Sequence, residues 1–359
     1  MKISSKIKDY KVEVVDNIFL KTELIKKESQ KYFFLIDENL YALYKEQINN
    51  FIADSPMVLI PAEENSKNLA SLIPLYRKLF ESGFRRNDIL FTFGGGVLQD
   101  ISGFIASTIF RGVQWVFIPT TLLAQADSCI GAKTSINFDS WKNQVGTFYP
   151  PDRIFIDTDF TATLKKSDFY SGLGEIIKVH LMKDMGAFEL LSDYLSSKDL
   201  LRKQALTQMI LSSLKIKKSY FADDELDKGR RNLLNYGHCF GHALESASNF
   251  KVSHGEAVLL GIAFANLLSL RRRLIRSSEF TKIEKVIRPY FRNFDFKPVS
   301  SGKIIEYLKK DKKITGNKLV MILLKSIGKP IKAEDIEEDE IRSVYDDFKE
   351  RYAQNDLQH

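Results

Sequence analysis

The stretch DILFTFGGGVLQD, residues 88 to 100, decides the fold. Its first half is a short apolar run rich in Phe, Ile and Leu, which reads as a buried strand. Three glycines follow and VLQD leads toward a helix. Glycine lets a backbone approach a phosphate closely, and free N–H groups at a helix start favour an anion. The triplet is not the G-x-G-x-x-G fingerprint, and a tight turn accounts for it equally well. Outward from it, KYFFLID, PMVLIPA, VQWVFIPTT and RIFIDT also read as buried strands, with KNLASLIPLYRKLFESG as a helix between two of them. This rhythm predicts a parallel sheet with crossover helices. Thr120 and Thr121 close the VQWVFIPTT strand at the carboxyl edge, where ligands of open α/β sheets bind, so the pair and the glycines point to a nucleotide site.

From SDFYSGLGEIIKVHLMKD onward the pattern turns mostly helical, through KQALTQMILSSLKIKKSYFADDE, GEAVLLGIAFANLLSLRRRLI and EDEIRSVYDDFKERYAQ. We therefore expect two domains, residues 1–164 as an α/β domain and 165–359 as a mainly α-helical one. The chain of 359 residues is 44% hydrophobic and 28% charged, as expected of a globular protein with ample core. Its net charge of +7 is spread along the chain, which favours a solvated surface over nucleic-acid binding and suits an anionic small substrate. The two cysteines, Cys129 and Cys239, give no disulfide framework. The opening MKISSKIKDYKVEVVDN has no apolar signal core, and no uncharged apolar run reaches about 18 residues. The expectation is a cytoplasmic protein without membrane or nucleic-acid partners.

Three of the five histidines fall in NYGHCFGHALESASNFKVSHGE, residues 235 to 256. His238 and His242, four apart, share one face of a helix. SNFKVS breaks that helix, and a return loop can bring His254 beside the first pair, making a set suited to zinc and similar ions. The zinc-peptidase pattern H-E-x-x-H is absent, because Cys239 stands at the Glu position. In LLAQADSCIGAKTSINFDSWKNQVGTFYPP, Asp127, Lys133, Lys142 and Asn143 stand among small and aromatic residues, as in a lined cleft. Glu175 and Lys178 share a helix face at i and i+3, as a minor salt bridge or as a metal-binding carboxylate beside a cation.

Taken together, GGGVLQD, FRG, IPTTLLAQADS, KTSIN, KNQVGTF, SGLGEIIK, RNLLNYGHCFGHALE, HGEA and DKK resemble the 3-dehydroquinate synthases and the wider sugar phosphate cyclase family, in order and spacing, from Asp37 to Lys329. The resemblance implies a Rossmann-like NAD-binding domain followed by a helical metal- and substrate-binding domain, an active site between them, and a homodimer. Carried over position by position, it places metal ligands at Glu175, His238 and His254. Cofactor contacts fall at Asp37, Glu64, Lys67, Gly95, Gly96, Asp100, Thr120 and Thr121, and Asp127 lies with them at the substrate pocket. The pocket itself maps to Lys133, Lys142, Asn143, Lys178, Lys217, Arg231, Asn235, His242 and Lys312, and Arg111 matches an arginine given by the neighbouring subunit. Two positions depart from the synthase pattern: Gln99 and Ala132 stand where it usually has Gly.

The implied chemistry explains the residue types. NAD transiently oxidises a secondary alcohol of a seven-carbon sugar acid phosphate, which acidifies the adjacent C–H so that phosphate leaves by elimination. The hydride then returns, and the ring recloses by an intramolecular aldol step, in the shikimate pathway of aromatic biosynthesis. A divalent ion, zinc or cobalt, would hold the hydroxyls and polarise the carbonyl. Lys133, Asn235, His242 and Lys312 would grip the phosphate, and Lys217 and Arg231 the carboxylate. Alternatives are a sugar phosphate cyclase acting on sedoheptulose 7-phosphate, a metal-dependent NAD polyol dehydrogenase, and a silent binding protein that keeps the fold.

Overall fold

The computed structural model describes the chain except residues 25–29, 140, 198, 250, 253, 292–298, 311–313, 316–317 and 354–359. It divides into two compact units, Met1–Leu164 together with Phe221–Asp227, and Lys165–Tyr220 together with the chain from Lys228 onward.

The first unit is built on strands β1 (Lys2–Ile3), β2 (Tyr10–Val14), β3 (Tyr32–Asp37), β4 (Met57–Ile60), β5 (Ile89–Gly94), β6 (Gln114–Pro119) and β9 (Arg153–Ile156). They form one sheet in the order β1-β2-β9-β6-β5-β3-β4. All neighbours are parallel except β1 and β2. Every residue of β3 is buried, as expected of a parallel strand covered on both faces. Helices α1 (Glu38–Ile52), α2 (Leu69–Glu81) and α3 (Gly96–Thr108) connect the strands. Phe34, Phe51, Phe91, Phe93, Phe155 and Phe160 pack in one core cluster, with Phe34 and Phe91 5.3 Å apart by ring centroids. The expected strands and the expected helix all form, giving the parallel sheet with crossover helices that the alternation predicts and the Rossmann-like domain that the resemblance implies.

Sequence reading missed a two-stranded antiparallel hairpin, β7 (Lys133–Phe138) and β8 (Trp141–Phe148), in the segment read as cleft lining. Its strands mix polar and apolar residues with no clean alternation, so no period marks them. Gly146 permits the close pairing, since a Cβ there would lie 2.1 Å from the Thr134 carbonyl oxygen.

The second unit contains α4 (Lys166–Lys183), α5 (Met185–Leu195), α6 (Lys203–Phe221, whose last residue falls in the first unit), α7 (His238–Ala247), α8 (His254–Arg271), α9 (Ser277–Ile287), α10 (Ser301–Lys310) and α11 (Glu338–Ala353). It also carries a small antiparallel sheet of β10 (Ile314–Thr315), β11 (Lys318–Leu324) and β12 (Pro330–Ile336). Helix α8 is buried at Gly255 and from Ala257 to Ser269, which marks it as the centre of the unit. Glycines set how closely its neighbours approach. A Cβ on Gly255 would come within 2.0 Å of the Ser171 backbone in α4, and one on Gly261 within 1.8 Å of the Gly237 carbonyl oxygen just before α7. These two crossings bring the three helices, and the polar side chains at their contact, to one place.

Candidate active site

In the second unit, α4 supplies Glu175 and Lys178, α7 begins with His238 and carries His242, and α8 begins with His254. The three imidazoles converge: one ring nitrogen from each lies within 4.8 Å of the others, and ring centroids are 5.3 to 5.7 Å apart. The Glu175 Oε1 is 3.3 Å from His238 Nε2, and its other oxygen pairs with the Lys178 ammonium. Both Glu175 oxygens are buried without a well-directed hydrogen-bond donor.

The setting of His238 shows what this arrangement suits. Its Nδ1 lies 3.3 Å from the Tyr236 carbonyl oxygen and its Nε2 3.3 Å from Glu175 Oε1, and both oxygens are acceptors only. Burial, and then the Lys178 charge, push the His238 pKa down, which keeps the ring neutral. A neutral ring has one N–H and can donate to only one of the two, which leaves its other nitrogen with a lone pair toward an oxygen. A cation held by Nε2 and Glu175 removes that conflict and leaves the N–H for the Tyr236 carbonyl. Burial would raise the Glu175 carboxyl, but Lys178 holds it well below the usual carboxylate range, ionised and ready to ligate. His254 Nδ1 lies 3.5 Å from a Glu245 oxygen. Burial lowers its pKa, but Glu245 outweighs that and raises it. A carboxylate behind a ligating imidazole is a common way to fix ring and tautomer. The donor set thus fits a divalent ion with nitrogen and oxygen preference. His242 joins Glu175, His238 and His254 at the cluster, which spacing alone did not show.

Of the other expected residues in this unit, Lys217 and Arg231 are buried, an unusual place for two cations. Asn235 is half-buried and donates to the Asn232 carbonyl oxygen at 2.9 Å. Lys312 lies outside the described residues.

In the first unit, the carboxyl ends of three neighbouring strands bring polar groups to one sheet edge. Asp37 ends β3 and caps α1, accepting from the Asn39 N–H at 2.8 Å, and burial raises its pKa. Gly95 and Gly96 pass from β5 into α3, and a Cβ on Gly95 would meet the Thr121 methyl at 2.9 Å. The Thr120 N–H donates to the Gly94 carbonyl at 3.0 Å, so the glycine turn and the threonine pair sit side by side.

A second polar group gathers around Lys67, which is buried and donates to Asp100 and Asn143, both at 2.7 Å. Glu64 stands 3.5 Å from the same ammonium. Burial works to raise the Glu64 pKa, but Lys67, Asn137 and Lys142 bring it below its ordinary value. For Asp100, burial prevails over Lys67 and raises it. Sequence reading overlooked two members. Ser135 donates through its N–H and hydroxyl to Asp100, at 2.9 and 3.3 Å. Asn137 donates to Glu64 at 2.8 Å and accepts from the Asn143 N–H at 2.9 Å. Both are in KTSIN, but neither residue type signals a site by itself. Asp127 is half-buried in the turn Ala124–Ser128 after β6. Lys133 is exposed and pairs with Asp227. Lys142 and Arg111 are exposed, and Phe110 and Arg111 both take left-handed backbone, at φ +51° and +62°.

A parallel-sheet unit with a glycine turn at its carboxyl edge, and a helical unit enclosing a carboxylate–imidazole centre, define the class as a two-unit α/β protein equipped for a nucleotide and a metal ion. The family models for the 3-dehydroquinate synthase N-terminal and C-terminal regions match residues 57–171 and 172–314, and the chain belongs to this family. A 3-dehydroquinate synthase of Dictyoglomus thermophilum is 35% identical over 346 residues, covering 95% of this chain and 96% of the relative. A bifunctional 3-dehydroquinate synthase/phosphatase of Fusobacterium nucleatum is 34% identical over 95% of the chain, which spans only 53% of that longer protein. Among solved structures, the 2-epi-5-epi-valiolone synthase of Streptomyces hygroscopicus with NAD+ and Zn2+ bound superposes with a TM-score of 0.86 at 28% identity, covering 97% of this chain and 99% of that one.

Proposed function

We propose that this chain is a 3-dehydroquinate synthase-like carbon–oxygen lyase, which cyclises 3-deoxy-D-arabino-heptulosonate 7-phosphate to 3-dehydroquinate with elimination of phosphate. The observation that carries the metal-dependent part is the buried Glu175 carboxylate 3.3 Å from His238 Nε2, beside a cluster in which one ring nitrogen each of His238, His242 and His254 lies within 4.8 Å of the others. Family membership supports the cyclase reading.

When bound, NAD accepts and returns a hydride, and a divalent zinc or cobalt ion polarises the oxygen being oxidised. Glu175, His238 and His254 would hold the ion, with His242 beside them toward the phosphate. Gly95 and Gly96 leave room for a dinucleotide to approach the start of α3, where unpaired N–H groups favour its phosphates. Asp37, Glu64, Lys67, Asp100, Thr120 and Thr121 are the other cofactor contacts of this reading, and Asp127 stands between cofactor and substrate hydroxyls. Lys217 and Arg231 grip the substrate carboxylate. Lys133, Asn235, His242 and Lys312 take the phosphate, while Lys142, Asn143 and Lys178 complete the pocket. Much of the rate enhancement is positioning, because the departing phosphate can itself accept the proton.

In this reading the protein is a cytoplasmic enzyme of the shikimate pathway and a homodimer, with Arg111 serving the neighbouring site. No described helix is long and apolar enough to cross a membrane. The test supplies the heptulosonate phosphate with catalytic NAD and a divalent ion, and follows phosphate and the carbocycle. Phosphate release without NADH accumulation is expected. Turnover of sedoheptulose 7-phosphate instead would assign another sugar phosphate cyclase, and NADH accumulating from a simple polyol would assign a dehydrogenase.

A further inference from the structure

Gln99 is one of the two positions where this chain departs from the glycine usual in the family it resembles, and its side chain is engaged. It lies one turn into α3, is buried, and its N–H donates to the Gly95 carbonyl oxygen at 3.0 Å. Its side-chain Nε2 donates to the Ser128 carbonyl oxygen at 2.6 Å, and its Oε1 accepts from the Ser128 hydroxyl at 2.6 Å. The amide orientation is fixed by chemistry, since the Ser128 carbonyl can only accept. One side chain thus closes a two-bond ring with one residue of another segment.

That segment, Ala124–Ser128, is wound as a π-turn, a geometry that needs support from its surroundings. At its start, the Ala124 N–H donates to Thr121 Oγ1 at 3.2 Å. In its middle, Gln125 Nε2 donates to the Pro119 and Asp157 carbonyl oxygens at 3.0 and 2.8 Å. At its end stands Ser128, held by Gln99. Asp127, with Ala126, lies between the last two anchors.

We propose that Gln99 is a positioning residue for Asp127, bracing the turn Ala124–Ser128 against α3 through the Ser128 carbonyl and hydroxyl. The inference rests on the cyclase reading, in which Asp127 meets cofactor and substrate hydroxyls. A glycine at 99 would remove both bonds. A carboxylate meant to orient one hydroxyl must be held closely, since a displacement of about 1 Å can cost on the order of a hundredfold in rate.

The experiment uses the full chain with Gln99→Leu, Ser128→Ala and the double variant, and measures kcat, KM, NAD affinity by fluorescence titration, and amide exchange over residues 124–130. Leucine fills much of the space without bonding. Gln99→Leu should lower kcat roughly ten- to hundredfold, with KM and the NAD Kd within about threefold of wild type, and should speed exchange over the turn. Ser128→Ala keeps the backbone carbonyl and loses only the hydroxyl bond, so its effect should be smaller, and the double variant should be no worse than Gln99→Leu, which already removes both bonds. Gln99→Glu supplies a readout that a purely structural role would not move: ionised, it faces the Ser128 carbonyl without a proton, and protonated it regains the donor. Its kcat relative to wild type should therefore recover as pH falls. Wild-type kcat or wild-type exchange in folded Gln99→Leu overturns the proposal alone. An inactive wild type overturns the cyclase reading, and the proposal with it, since Asp127 then has no substrate hydroxyl to hold.

Discussion

Replacing Lys178 by Met tests whether the centre of the helical unit is built around a cation. Lys178 and Glu175 are 3% and 1% exposed and pair across one turn of α4. An exposed pair at this spacing would be worth about 0.3–0.5 kcal/mol. A buried pair behaves differently: removing one partner leaves an uncompensated charge, at about 3–5 kcal/mol. Methionine keeps most of the aliphatic stem, so the loss is chiefly of charge. Neutral His238 carries no charge to replace the lost ammonium and cannot take over. At roughly 2–4 °C per kcal/mol for a unit of this size, the melting temperature in chelator should fall by roughly 6–20 °C. A bound divalent ion neutralises the same carboxylate, so in saturating zinc the fall should shrink. Wild type should itself gain about 2.7 kcal/mol at a zinc concentration a hundred times Kd. Scanning calorimetry of both proteins, in chelator and in zinc, supplies the four values. An equal fall in both conditions would refute the reasoning, as would a fall near 1 °C in chelator.

Four further outcomes follow from the same geometry. Glu245→Gln should weaken metal binding by roughly ten- to hundredfold in a competition assay against a chromophoric chelator, because His254 loses its orienting carboxylate; unchanged affinity would count against that role. Arg231→Met should reduce kcat/KM by roughly thirtyfold to a thousandfold on a carboxylate-bearing substrate, from about 2–4 kcal/mol of lost charged pairing, and much less on a heptulose phosphate without the carboxylate. Ala132, at φ +63°, holds a backbone region that disfavours a Cβ, so Ala132→Gly should stabilise the chain by about 1 kcal/mol in urea unfolding; a loss of stability would show the strain to be absent. In chelator, Glu175, depressed below 4.5, contributes stability that is present above that pH and lost as pH falls through its lowered folded value. Acid unfolding of Glu175→Gln should lack that part of the pH dependence.

Much of the fold was legible because local patterns carried it. The run YFFLID is buried at every position, as an uninterrupted apolar strand between turn residues predicts. The glycine triplet marked the passage from β5 to α3 because few residues tolerate such an approach to Thr121. The four-residue spacing put His238 and His242 on one face of α7. The hairpin of β7 and β8 escaped notice, since its pairing is fixed by cross-strand contacts at Gly146 and by Asn137, none of which leaves a period in the sequence.

Charge-bearing residues were the hardest to read from the chain, because what a charge does depends on its partner. The sequence by itself determined that alternating strands and helices would give a parallel sheet, and that a histidine pair would share a helix face, since both follow from backbone period and burial. Only the tertiary structure decided that Glu175 would stand 3.3 Å from His238 Nε2, that Asp227 would take Lys133, and that Gln99 would brace Ser128. Those meetings depend on how closely helices cross at glycines and where loops return, and separations of a few ångströms between distant segments are not encoded in the propensity of either one.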